Sequence, residues 1–201
     1  MRFAAVLALT FATQAQAQEP RLERLDSAAR APVAAVLDSA RAAGLPVEPL
    51  LQRALEGTIK HAAPDRVVAA VRRLAGDLGR AREALGVSAA PAELEAGAAA
   101  LRAGASPAVL AQLRRARRQP LTVPLAVLAD LVASGVPVDS AASAVLMLAG
   151  SVRDADLIEF RRAVERDIAL GASPATAATA DAPTSLNATA RPRSAAQPRR
   201  P

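Results

Sequence analysis

The chain has 201 residues, with 25 Lys and Arg against 19 Asp and Glu, a net charge of +6, one histidine and no cysteine, tryptophan or tyrosine. The lack of cysteine excludes disulfide staples, thiol nucleophiles and cysteine metal sites, and the single His61 excludes multi-histidine metal centres. Five basic residues, Arg2, Arg191, Arg193, Arg199 and Arg200, lie outside residues 18–181, which leaves 20 there against all 19 acids, a net of +1. Lys60 is the only lysine, so the arginine excess follows the Ala-, Pro- and Gly-rich bias of a GC-rich genome rather than selection for phosphate. Balanced, interspersed charge is the pattern of a solvated helical surface, which speaks against a nucleic-acid groove.

The first residues predict a secretory signal peptide over 1–17. Arg2 supplies the positive start, Phe3 to Phe11 a short apolar run, and Ala15-Gln16-Ala17 a small-residue cleavage site. The apolar run is shorter than the about 20 residues a membrane span needs, so cleavage before Gln18 is expected, with a periplasmic or secreted mature chain and no transmembrane segment in it. Residues 18–30 read as a lead-in.

From there the chain predicts only helices, because Pro, Ser or Asp starts and Gly stops recur around apolar residues spaced three and four apart. The expected spans are 31–43 (Pro32 first), 48–61, 64–85, 91–103, 107–118 (Ser106 cap), 123–134, 138–149, 154–170 (Asp154 cap) and a short helix from Pro174. Val67, Val71, Leu74, Leu78, Ala81 and Leu85 make one buried stripe on the third, with Arg66, Arg73, Asp77, Arg80 and Glu83 left for water. Leu157, Phe160, Val164 and Ile168 make another, and Val33, Val36, Leu37 and Ala40 a third. Most of these helices are too short to stand alone and must pack on one another. The expected fold is therefore all-α, built of stacked antiparallel helical hairpins over residues 31–181, followed by a disordered basic tail over 182–201 that lacks the apolar residues to order itself.

Ala42-Ala43-Gly44-Leu45-Pro46-Val47-Glu48 matches Ala133-Ser134-Gly135-Val136-Pro137-Val138-Asp139. One reading is a duplication, with units 31–118 and 121–181; the other is that few turns join antiparallel helices. The run Gly44-Leu45-Pro46-Val47-Glu48-Pro49-Leu50, with Glu56-Gly57, Lys60, Pro64 and Arg66-Val67-Val68, resembles a helical hairpin of uncharacterised exported bacterial proteins. The resemblance implies exported helical proteins and carries no activity, ligand or site.

No catalytic signature is present, and no serine lies in a Gly-x-Ser-x-Gly turn. His61 with Asp65 reads as a base with its orienting acid or as a helix-end residue, and Glu56 with Lys60 as a surface pair four residues apart. Asp154, Asp156 and Glu159 read as acids opening a helix, since they lack the glycine and spacing of a calcium loop. Arg114, Arg115, Arg117 and Arg118 place four cations at one helix end, the candidate site for an anionic partner. The expectation is a non-enzymatic, cofactor-free helical-repeat protein of the periplasm or cell envelope that binds or scaffolds a protein partner or an envelope surface. The alternative is a helical carrier of a ligand or lipid, which needs an apolar cavity.

Overall fold

The computed structural model describes the backbone of residues 21–190 and the side chains of residues 21–182. The expected signal peptide, 1–17, lies outside the described residues. The chain is all-α: α1 (Ser27–Ala42), α2 (Glu48–Ile59), α3 (Pro64–Leu85), α4 (Pro91–Arg102), α5 (Pro107–Ala116), α6 (Thr122–Ala133), α7 (Val138–Ala149), α8 (Asp154–Ala169) and α9 (Pro174–Ala190). It divides into two compact units within α3, after Gly79.

In the first unit α1 begins earlier than the proline signal predicts. The Asp26 carboxylate accepts a hydrogen bond from the Ala28 N–H at 2.8 Å and caps the helix there, which leaves Pro32 inside it. Val33, Leu37 and Ala40 of α1 are buried, as are Leu50, Leu51 and Ala54 of α2. The α2–α3 approach is set by Gly57, where an added Cβ would lie 2.8 Å from a Val67 methyl. The α3 stripe is buried as its spacing predicts, from Val67 through Val71, Leu74, Leu78 and Ala81 to Leu85. Asp77 departs from the expectation of a solvated residue, for it too is buried. It lies directly beside Leu78 and three residues beyond Leu74, on the edge of the stripe rather than opposite it.

The second unit, from Arg80, is a two-row stack. Helix α4 lies along α6 and α6 along α8, while α5 lies along α7 and α7 along α9. Each helix therefore rests on the next but one, which is the arrangement of helical-hairpin repeats. Helix α6 carries apolar residues almost all round, and Leu125, Val127, Leu128 and Leu131 are buried. Such a helix belongs between neighbours, and α6 lies between α4 and α8, with α7 also against it. Arg161 of α8 donates to Asp130 of α6 at 2.9 Å along the same row.

The hairpin turns repeat as well. Gly104, Gly135 and Gly171 have φ of +110°, +93° and +100°, and each N–H reaches back three residues while the next residue's reaches back five. This is a Schellman ending, in which left-handed backbone at the residue after the cap satisfies two of the helix's last carbonyls. A Cβ on Gly104 would meet Val138 at 3.2 Å and one on Gly135 would meet Pro174 at 3.7 Å, so each turn rests on the start of the helix after the next turn. The turn that pairs residues 44 and 135 in the sequence thus recurs at 104 and 171, where Gly-Ala-Ser-Pro appears twice in identical form. The position 118–121 proposed as a unit border is where α5 passes into α6 inside the second compact unit.

Helix α9 extends through residues 182–190, which the composition assigns to the tail; the rest of that tail, 191–201, lies outside the described residues. Ala177, Ala178 and Ala182 are buried, and α9 packs on α7 and α8, so the helix is already nucleated and continuing it costs little.

His61 occupies the same left-handed position after α2, at φ +51°, with the same two hydrogen bonds. A side chain there costs about 1–2 kcal/mol that glycine avoids, partly offset by glycine's greater freedom in the unfolded chain. His61→Gly is therefore expected to raise stability by about 0.5–1 kcal/mol, whereas Leu128→Ala lowers it by about 2–5 kcal/mol. Urea denaturation of the two variants checks both signs.

Candidate functional site

The four arginines expected on one helix end separate. Helix α5 stops at Ala116, and Arg117 takes extended backbone, φ −132° and ψ 127°. That change of backbone turns its side chain inward, where it is 3% exposed. One guanidinium nitrogen donates to the carbonyls of Ala149 and Val152, both at 2.8 Å, and another donates to the Asp154 carboxylate at 2.5 Å. Ala149 ends α7 and Asp154 opens α8, so the cation meets the negative end of one helix dipole while its acid partner sits at the positive start of the next. The α7–α8 turn comes close enough that a Cβ on Gly150 would lie 3.3 Å from the Ala116 carbonyl oxygen.

Arg114, in the last turn of α5, donates at 2.7 Å to Glu93 of α4. Glu93 is 5% exposed and accepts three hydrogen bonds: this one, one from the Ala90 N–H at 2.9 Å and one from the Leu121 N–H at 2.8 Å. It caps the start of its own helix and takes the N–H of the residue that opens α6. Burial pushes its carboxyl up, but the Leu121 and Ala90 N–H groups and the Arg114 guanidinium outweigh burial and hold it below the usual carboxylate range. The Nε atoms of Arg114 and Arg117 are buried without a hydrogen-bond partner among the described residues, a cost the remaining bonds offset. Of the four candidates, Arg115 and Arg118 alone are exposed, beside this polar seam.

The other candidates resolve into local roles. Lys60 and Glu56 form an exposed ion pair at 2.5 Å. Asp156 accepts from the Arg153 N–H at 3.0 Å and caps α8, while Glu159 pairs with Arg162 at 2.8 Å. Among the described residues no group of three or more His, Asp or Glu could hold a metal ion, and no helix is long and apolar enough to cross a membrane.

A groove of about 310 Å³ runs between α7 and α9, lined by Asp139, Ser140, Ser143, Ala144 and Met147 on one side and Ala178, Thr179 and Ala182 on the other. Met147 is 52% exposed there, an unbranched thioether in an otherwise small-residue channel. Composition and periodicity pointed to neither end of the groove, because α7 and α9 are brought together only by the row packing.

No protein-family model matches the chain, and no curated protein or solved structure does.

The seam has a pH signature. A carboxyl held below its ordinary value in the folded state stabilises the fold above the unfolded pKa, about 4.3 for Glu, and loses that contribution as pH falls through the folded value. Asp181 works oppositely, since burial and the neighbouring Asp167 push its carboxyl up against the pull of Arg166. Glu93→Gln is therefore expected to cost about 1–3 kcal/mol at pH 7 and to flatten the acid limb of the stability curve, with Asp181 common to both proteins. Denaturant midpoints between pH 3 and 7 read the difference. Arg117→Lys, which cannot span three acceptors, is expected to cost about 2–4 kcal/mol, against less than about 0.5 for Arg115→Lys.

Proposed function

We propose that the chain is an exported, non-enzymatic binding protein of the periplasm or cell envelope, and that it engages a protein partner through the α5, α7, α9 row. The observation that carries this reading is the α7–α9 groove, about 310 Å³, with Met147 exposed over Ala144, Ala178 and Ala182. Rows of hairpin repeats offer such extended surfaces, and a partner helix presents apolar residues three and four apart to a groove of this kind. Methionine suits it because a flexible thioether adapts to the partner's shape. Arg115 and Arg118, exposed at the end of α5 and just beyond it, supply positive charge for an acidic flank of the partner or for an anionic surface.

Export is tested by intact mass, which is expected to show a mature N-terminus at Gln18 when the gene is expressed in a bacterium. Partner binding is tested by placing a photo-crosslinking residue at position 147 or, as a control, at Arg162, an exposed position on α8. Discrete crosslinked species from position 147, lost when Ser143→Arg fills the groove and absent from position 162, are the expected result. Equal crosslinking from both positions would contradict the assignment.

A further inference from the structure

A second groove, in the first unit, has different chemistry. It lies between α1 and α3, with a volume of about 400 Å³, and is lined by Pro32, Ala35, Val36, Ser39, Ala40, Leu45, Arg72 and Ala75. That volume is within the range of small-molecule sites, about 300–1,000 Å³. Carbon dominates the walls. The one neutral polar side chain, Ser39, already donates its hydroxyl to the Ala35 carbonyl at 2.9 Å, so it offers a ligand no free donor. The one charged side chain is Arg72, exposed on α3, with neither an ion pair nor a hydrogen bond among the described residues. No carboxylate lines the groove, although acids nearly balance bases over the body of the chain.

A ligand that fits must match three features: an apolar body, one anionic group, and no need for further polar recognition. No aromatic ring lines the channel, so stacking plays no part, and a flexible alkyl chain can follow walls made of alanine, valine, leucine and proline. The guanidinium at its side is a planar fork of donors that suits a carboxylate or phosphate oxygen pair. From this charge complementarity we infer that the α1–α3 groove binds a single-chain anionic amphiphile, with the alkyl chain on Ala35, Val36, Leu45 and Ala75 and the anionic head on Arg72. This site goes beyond the partner-binding face, since it lies in the other unit and takes a small molecule.

The test uses the whole protein and dodecanoate, below its micelle concentration, as competitor against a dansyl-labelled undecanoic acid whose fluorescence rises on binding. Dodecyl phosphate and dodecanol are run beside it to separate head-group sources from chain binding. Saturable displacement at one site per chain is expected. Ala35→Phe, a change at an exposed position, is expected to abolish displacement by all three competitors with melting unchanged. Arg72→Gln is expected to weaken dodecanoate about 3–5-fold, the range of an exposed ion pair, and to leave dodecanol as it was. Preference for phosphate over carboxylate would identify a phospholipid-like head, and the reverse a fatty acid; either supports the site. The inference is overturned by non-saturable binding, by unchanged binding in Ala35→Phe, or by equal effects of Arg72→Gln on acid and alcohol. It is equally overturned if sedimentation shows a dimer that Ala35→Phe dissociates, because the groove would then be filled by a second copy.

Discussion

The stack from α4 to α8 depends on one line of charge at one end of its helices. Glu93 stands at the start of α4 and holds the N–H of Leu121, the residue just before α6; Arg114 closes α5 onto it; Arg117 closes the end of α7 and meets Asp154 at the start of α8. Every one of these charges lies where a helix dipole favours it, acids at starts and guanidiniums at ends. Helix termini leave four N–H and four C=O groups without internal partners, and a stack of short helices multiplies them. With no disulfide to close the turns, these side chains meet that demand while fixing which helix end lies next to which. Buried ion pairs of this sort add little net stability over an apolar replacement, but losing one member leaves the other stranded. Register is the gain, and the apolar rows supply the energy.

The opposite ends of the hairpins use left-handed backbone, with the Ser106 and Ser173 hydroxyls accepting from the Val109 and Thr176 N–H groups at the starts of α5 and α9. The turns at Gly104, Gly135 and Gly171 share a left-handed ending and a short link into the next helix, and the first two rest on the start of the helix after the following turn. One end of each hairpin is thus a repeated backbone device and the other a set of unlike side chains. That asymmetry leaves the α5, α7, α9 row free of structural charge along the α7–α9 groove apart from Asp139. A face not needed to hold the stack is one that can take a partner.

Much of this fold is legible in the residues, and the exceptions are physical. The bounds of α3 and α7 follow from proline starts, and the α3 stripe from a 4, 3, 4, 3, 4 spacing that only a helix gives one face. The start of α1 was readable in Asp26 but overshadowed by Pro32, a residue equally at home at a first turn. Glu93 was readable too, three residues after Ala90 and ahead of an apolar run, as a helix-start acid; its bond to Leu121 was not, since that joins residues 28 apart. The inward turn of Arg117 has no local signal in the sequence. Four near-adjacent arginines look alike in composition, and what separates them is where α5 stops, a boundary that depends on the carbonyls of Ala149 and Val152 far along the chain. The grooves are not legible in the sequence for the same reason: small residues on separate helices carry no local signal until packing brings them together.

The most direct test of the seam is native-state hydrogen exchange at the Leu121 amide. This N–H precedes α6 and would have no backbone partner in an open chain end, yet here it is buried on Glu93 at 2.8 Å. If the seam holds the stack together, Leu121 exchanges as slowly as the buried amides in the middle of α6, at the rate of global unfolding. Exchange of Leu121 at the rate of an exposed turn, with α6 still protected, would show that the helices keep their order without it.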